Sequence, residues 1–420
     1  MELNIIMKTT TLTENRFNYL LGLVNIVAVF CTVWLLWYVF MHPDGILRLY
    51  TPMYGFALVV VFLSAIMLIK DIFNYYPFAE TLSHNQSALT RGVLLTMTAI
   101  LLLLFIFYVL FWGFIGKFGI TYFSPYSIIA AGSQGAEIWN AREISSRAIL
   151  YFFTAFLWIS ITWNIGFGRW PWHNSNRDVL AWSRLFTILF FVVITYAVLF
   201  HPNVCYLFYP AQVNAGVESW WISFTDTGSA FVTLGLLMCA LFWAIASDLL
   251  WEGYPFKFLA KKEEGNLLTG VATFIVTAIL GIILLWGLLK GMNYFWDEAF
   301  TGGQYTDGPD FRFLHAAEIS GFLILSAFVL KSYFNNFPNT PSIWLNAVIR
   351  TLIVFCGSIL LHLFYYSNAT TFFLGKVPGI AQPDDTPLVW TILFLCIIVV
   401  HSDFFSGWPL KKNQGTESNG

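Results

Sequence analysis

Charge is what this 420-residue chain has least of: 10% of its residues are charged, against 58% that are hydrophobic, and the mean hydropathy is +0.70. A soluble globular chain carries about a quarter charged residues, so the sequence excludes an ordinary soluble domain and indicates an integral membrane protein. Twenty-one basic and 23 acidic side chains leave a net charge of -2. That balance supplies no basic field for nucleic acid and no acidic tail, so nucleic acid is not an expected partner. Cysteine is also scarce. Cys31, Cys205, Cys239, Cys356 and Cys396 are scattered, odd in number and without a C-x-x-C pair, which indicates neither a disulfide framework nor a zinc ribbon. Missing too are a Gly-rich phosphate loop followed by Lys-Ser/Thr, H-E-x-x-H, C-x-x-C-H and G-x-S-x-G, so several common chemistries have no carrier.

Long apolar runs are abundant. A membrane helix needs roughly 20 mostly apolar residues, and ten such runs fall near 17-40, 53-70, 92-116, 149-167, 185-200, 228-246, 267-290, 316-331, 345-366 and 387-404. They are apolar on every face, which excludes barrel strands. The first has too long an apolar core, and no small-x-small site after it, for a cleaved signal peptide; it reads as a retained anchor. The expected fold is an all-α polytopic transmembrane bundle of about ten spans in a single membrane domain. With ten spans, both tails and the even-numbered connections share a side, and that side carries 14 of the 21 Lys and Arg. The positive-inside rule then places both termini in the cytoplasm, in a cell (inner) membrane.

The chain repeats itself. Every second span ends in an aromatic residue and a proline: Tyr76-Pro77, Trp170-Pro171, Tyr254-Pro255, Phe337-Pro338 and Trp408-Pro409, with prolines 94, 84, 83 and 71 residues apart. Asp71, Asp248 and Asp403 stand six or seven residues earlier, and Asn164 takes that place in the second unit. Five tandem helical hairpins follow, roughly 17-78, 92-172, 185-256, 267-338 and 345-410. Proline ends the helix, the ring sits at headgroup level and the carboxylate meets the interface, so a structural exit signal is the plain reading. The units repeat in parallel, without the inverted symmetry of many secondary transporters.

Polar chemistry gathers on the other face, where connections near 117-148, 201-227, 291-315 and 367-386 are longer and rich in aromatic residues. Within 291-318 stand Asp297, Glu298, Asp307, Asp310, His315 and Glu318. His315 and Glu318 are three apart at the start of a helix and share a face, with Asp310 on the entering loop. Imidazole beside carboxylate is what zinc, copper or iron accepts. Capping is the competing reading, because acids favour any helix N-terminus and Glu143, Asp226 and Asp310 all lie about 28 residues before a repeat proline. His42 and His201 each precede a proline at the far end of an odd-numbered span, where interface packing competes with a ligand role. His362 lies at membrane depth, where ionisable groups often act. It is near the opposite face from His401, which argues against a bis-histidine haem.

The segment Tyr294-Phe295, an acidic aromatic stretch, then Asp310-Phe311-x-x-x-His315-x-x-Glu318 resembles the C subunit of the copper membrane monooxygenases that oxidise methane and ammonia. The match covers about 25 of the 420 residues. It implies a subunit of a membrane oxidoreductase complex, with partner membrane subunits, the lipid bilayer around it, and copper or another transition metal on the outer face. His315 would be a ligand and Asp297 or Glu298 the loop carboxylate. The family's second loop histidine is absent, since no histidine lies between Met292 and Leu314; a further ligand would come from His42, His201 or a partner subunit. A transporter or channel for a cation or small polar solute, and a non-catalytic assembly subunit, are the alternatives from other classes.

Overall fold

A computed structural model describes residues 2–78, 87–130, 138–199, 230–259, 265–295, 312–365, 367–375 and 387–410. The described chain is helical, with no strand among these residues. Among the described residues ten helices are long and apolar enough to cross a membrane: α1 Tyr19–Phe40, α2 Pro52–Ile72, α3 Ala88–Phe118, α4 Ile138–Gly166, α5 Arg177–Leu199, α6 Val232–Leu249, α7 Leu267–Met292, α8 Arg312–Phe334, α9 Ile343–Tyr365 and α10 Pro387–Phe404. The protein is a multi-pass membrane protein, and its apolar outer surface meets lipid.

Burial divides the helices by parity. In the apolar stretch of each even-numbered helix 67–72% of the residues are buried inside the protein, and in that of each odd-numbered helix 22–33%. The even helices touch in the order α2, α4, α6, α8, α10 and back to α2, closing an inner ring of five. Each odd helix lies outside, in a groove between two inner helices: α1 on α8 and α10, α3 on α10 and α2, α5 on α2 and α4, α7 on α4 and α6, and α9 on α8, reaching α6. Thus α3, α5, α7 and α9 each pack chiefly on the inner helix that precedes them in the chain, and α1 closes the set on α8 and α10.

The proline turns carry this arrangement. All five aromatic–proline bonds are cis. Three residues before each proline the backbone is left-handed, at Asn74, Gly168, Glu252, Asn335 and Ser406, and in four turns the next residue is too. The N–H before each proline donates to the carbonyl three residues back, from Tyr76 to Phe73, Trp170 to Phe167, Tyr254 to Trp251, Phe337 to Phe334 and Trp408 to Phe405. In four turns a second bond reaches six residues back and ties off a helix-end carbonyl, as from Tyr75 N–H to Ile69 O.

An aromatic residue four before every proline, Phe73, Phe167, Trp251, Phe334 or Phe405, packs against the outer helix that fills the groove. Three meet glycine: a Cβ on Gly22 would lie 2.9 Å from the Phe334 ring, on Gly92 2.3 Å from Phe405, and on Gly270 2.2 Å from Phe167. Small residues let membrane helices approach closely. Phe73 instead stacks edge-on to Trp182, and Trp251 donates to the Thr351 hydroxyl at 2.9 Å. Gly92→Leu is therefore expected to cost about 1–3 kcal/mol by overpacking. Gly287→Leu, where nothing lies within 4 Å of the added carbon, should leave stability unchanged. Thermal unfolding of both variants in detergent checks this.

Charges at the proline end serve the same joints. Lys70 of α2 pairs with Asp403 of α10 at 2.5 Å, and Arg91 of α3 donates to the Phe404 carbonyl and to the Ser406 hydroxyl. Arg184 of α5 donates to Asn164 at 2.9 Å. Cationic side chains here meet the carbonyl ends of inner helices, the favourable end of the helix dipole for positive charge.

Candidate functional site

Counting back from the repeat prolines gives a register for the inner ring. Twenty-one residues before them stand Phe56, Leu150, Leu234, Ala317 and Leu388. Four are large and apolar, and those four line one axial cavity near the end of the ring away from the prolines. The fifth, on α8, is alanine. One residue later, Tyr151 on α4 and Glu318 on α8 occupy equivalent places and both line the same cavity. Helix α8 thus differs from the other four first by a small side chain and then, where they carry Ala57, Tyr151, Gly235 and Val389, by a carboxylate.

The cavity holds about 30 Å³, room for about two waters. Toward the proline end the axis is filled: Gly321 of α8 lies against Leu388, Thr391 and Met238, within one continuous apolar core. The cavity therefore ends within the bundle.

Glu318 is 2% exposed, and His315 Nδ1 lies 2.7 Å from its Oε2. The two side chains predicted to share a face do so, one turn into α8. A buried carboxylate is costly unless hydrogen-bonded, and the imidazole supplies a bond in this low-dielectric place. His362 of α9 is within electrostatic reach of His315 and stands edge-on to Phe322, with ring centroids 6.2 Å apart. Asp297, Glu298 and Asp310 lie outside the described residues, as do Asp226 and His201. Among the described residues no group of three His, Cys, Asp or Glu side chains stands together as a metal site.

Other sequence candidates have structural partners. Glu143 caps a helix, but the neighbour's: it accepts from the Thr51 hydroxyl and from the N–H groups of Met53 and Tyr54 at the start of α2. His42 accepts from the Asp44 N–H at 3.1 Å and packs under Gly375, whose φ is +81° and whose Cβ, if present, would lie 2.7 Å from His42 Nε2. Burial holds the His42 pKa below the ordinary histidine range, with Asp44 opposing. A depressed histidine pKa means that the unfolded chain binds the proton first, so His42 withdraws stability as pH falls through about 6.5. His401 bonds the Tyr333 hydroxyl at 3.0 Å, at the proline end and far along α10 from the cavity.

Arg147, Tyr151 and Ala317 were missed by reading the sequence for metal ligands. The signal that finds them is the repeat register, because their counterparts on the other helices line the axis. No protein-family model, curated protein or solved structure matches the chain.

Proposed function

We propose that this chain is a membrane subunit of an oxidoreductase complex, monooxygenase-like, that binds copper or another transition metal at His315, on the outer membrane face. The observation that carries the reading is the His315–Glu318 bond at the cavity end of α8. A metal-bound histidine characteristically gives its second ring nitrogen's proton to a carboxylate, which fixes the tautomer and raises ligand basicity. Glu318 accepts from Nδ1 in that way, so His315 would present Nε2 to the metal. Glu318 is then a positioning residue. Asp297, Glu298 and Asp310 are the carboxylates that the adjoining loop offers for the remaining positions, as the family resemblance implies. A copper ion so held would supply one-electron chemistry, for which imidazole is a suitable ligand.

Elemental analysis of detergent-purified protein tests the proposal. Copper, zinc or iron should be present at a fixed ratio to wild-type chain and lost in His315→Ala. In Glu318→Gln the affinity should fall about 10–100-fold, the usual effect of removing the carboxylate behind a ligand histidine. Wild-type protein purified without metal, and unable to take it up, contradicts the reading. A transporter of a small polar solute is the second reading, favoured by an axial cavity lined from all five inner helices. It requires a route past Met238 and Leu388, and a cysteine at position 321 that no water-soluble thiol reagent reaches from either side would count against it.

A further inference from the structure

Opposite charges stand on two helices that are not neighbours in the ring, one lining the axial cavity and the other a helical turn further out. On α8, Glu318 lines it with a carboxylate that is almost wholly buried. On α4, Arg147 stands one helical turn before Tyr151, toward the loop end of the ring. Its register, twenty-four residues before the repeat proline, is that of Met53 on α2 and Leu314 on α8, both of which line the cavity. The repeat therefore turns Arg147 toward the axis. Its side chain is exposed, and Tyr151, one turn along the same helix, is buried. The phenol and the carboxylate thus line the cavity among apolar walls, and the guanidinium stands one turn beyond the phenol.

We infer that this cavity is a two-point site for a short zwitterion, a small amino acid whose ammonium meets Glu318 while its carboxylate reaches Tyr151 and, one turn further out, Arg147. Each charge of such a guest meets its opposite, which offsets the cost of bringing charge into a low-dielectric site. The guest is net neutral and leaves the total charge of the site unchanged. Room is the second condition. A cavity for about two waters admits an ammonium group and its first methylene, and it exists on the side where Ala317 replaces the large residue of the other four helices. Glu318 is shared with the proposed metal site, but Arg147, Tyr151 and Ala317 take no part in that site, and the inference holds without a metal on His315.

The test is equilibrium binding of radiolabelled glycine, β-alanine and 4-aminobutyrate to the full chain in nanodiscs, with methylammonium and acetate as competitors. At least one amino acid should bind saturably and resist displacement by either competitor at the same concentration. Arg147→Gln should weaken that binding about tenfold or more, the loss of one charge-assisted contact. Ala317→Leu should abolish it, with Ala317→Val as the substitute should the leucine variant not fold. Metal content measured on the same variants should stay at the wild-type level, so failure of the metal reading and failure of this one are separately visible. No saturable binding of any of the three, binding displaced by methylammonium alone, or binding indifferent to Arg147→Gln each overturns the inference.

Discussion

Arg350→Ala is expected to destabilise the protein by about 3 kcal/mol. Arg350 is 1% exposed, and its guanidinium joins three segments. It donates to the carbonyl of Leu250 at the end of α6 (2.9 Å), to the carbonyl of Pro338 in the turn after α8 (3.1 Å) and to Asn339 (2.5 Å). A fourth bond, to Glu252 at 2.8 Å, adds little because that carboxylate is half exposed. Truncation leaves buried acceptors without their donor, at about 1–3 kcal/mol each, partly relieved by water at this end of the bundle. Lysine cannot reproduce the planar fork, so Arg350→Lys should recover less than half of the loss. Unfolding by sodium dodecyl sulfate in mixed micelles measures both. A cost below about 1 kcal/mol for the alanine variant would mean that the three segments are held together by packing alone.

Glu143→Ala should cost about 2–3 kcal/mol, by unpinning the start of α2 from α4. Thr51 stands at the N-cap of α2, yet its own side chain makes no capping bond. Its hydroxyl instead donates to Glu143 Oε1 at 2.5 Å, and the same carboxylate accepts from the N–H groups of Met53 at 2.9 Å and Tyr54 at 3.2 Å. The cap therefore comes from a neighbouring inner helix. A lost cap costs about 0.5–2 kcal/mol, and the loss of a buried negative charge at the positive end of a helix dipole adds up to about 2 more in partly buried geometry. Glu143→Gln keeps an acceptor and should lose about half as much. Hydrogen exchange at the Met53 and Tyr54 amides is the direct readout: it should accelerate in the alanine variant while the amides of α6 stay protected.

Span number and helical class were legible because apolar runs long enough to cross a bilayer have few other uses. Helix starts were less so. The sequence puts the fourth span at 149–167, whereas α4 begins at Ile138; the intervening turns hold Arg142, Glu143 and Arg147, which hydropathy counts as loop although they are helical. Those are the polar residues at the loop end of the ring. The aromatic–proline punctuation was visible, but the paired left-handed residues before it were not, since Asn-Tyr, Glu-Gly, Asn-Asn and Ser-Gly share no residue pattern. The inner and outer rings could not be read from the apolar runs, because a helix facing protein and a helix facing lipid are both apolar all round. At the candidate site the spacing of His315 and Glu318 predicted their shared face, while the cavity beside them required the register of all five inner helices.

X-ray absorption at the metal edge of the purified protein tests the central claim most directly. A bound transition metal with imidazole scattering in its first shell is expected, with loss of that scattering in His315→Ala but not in His401→Ala. A protein without metal, or a metal shell that keeps its imidazole when His315 is gone, would contradict it.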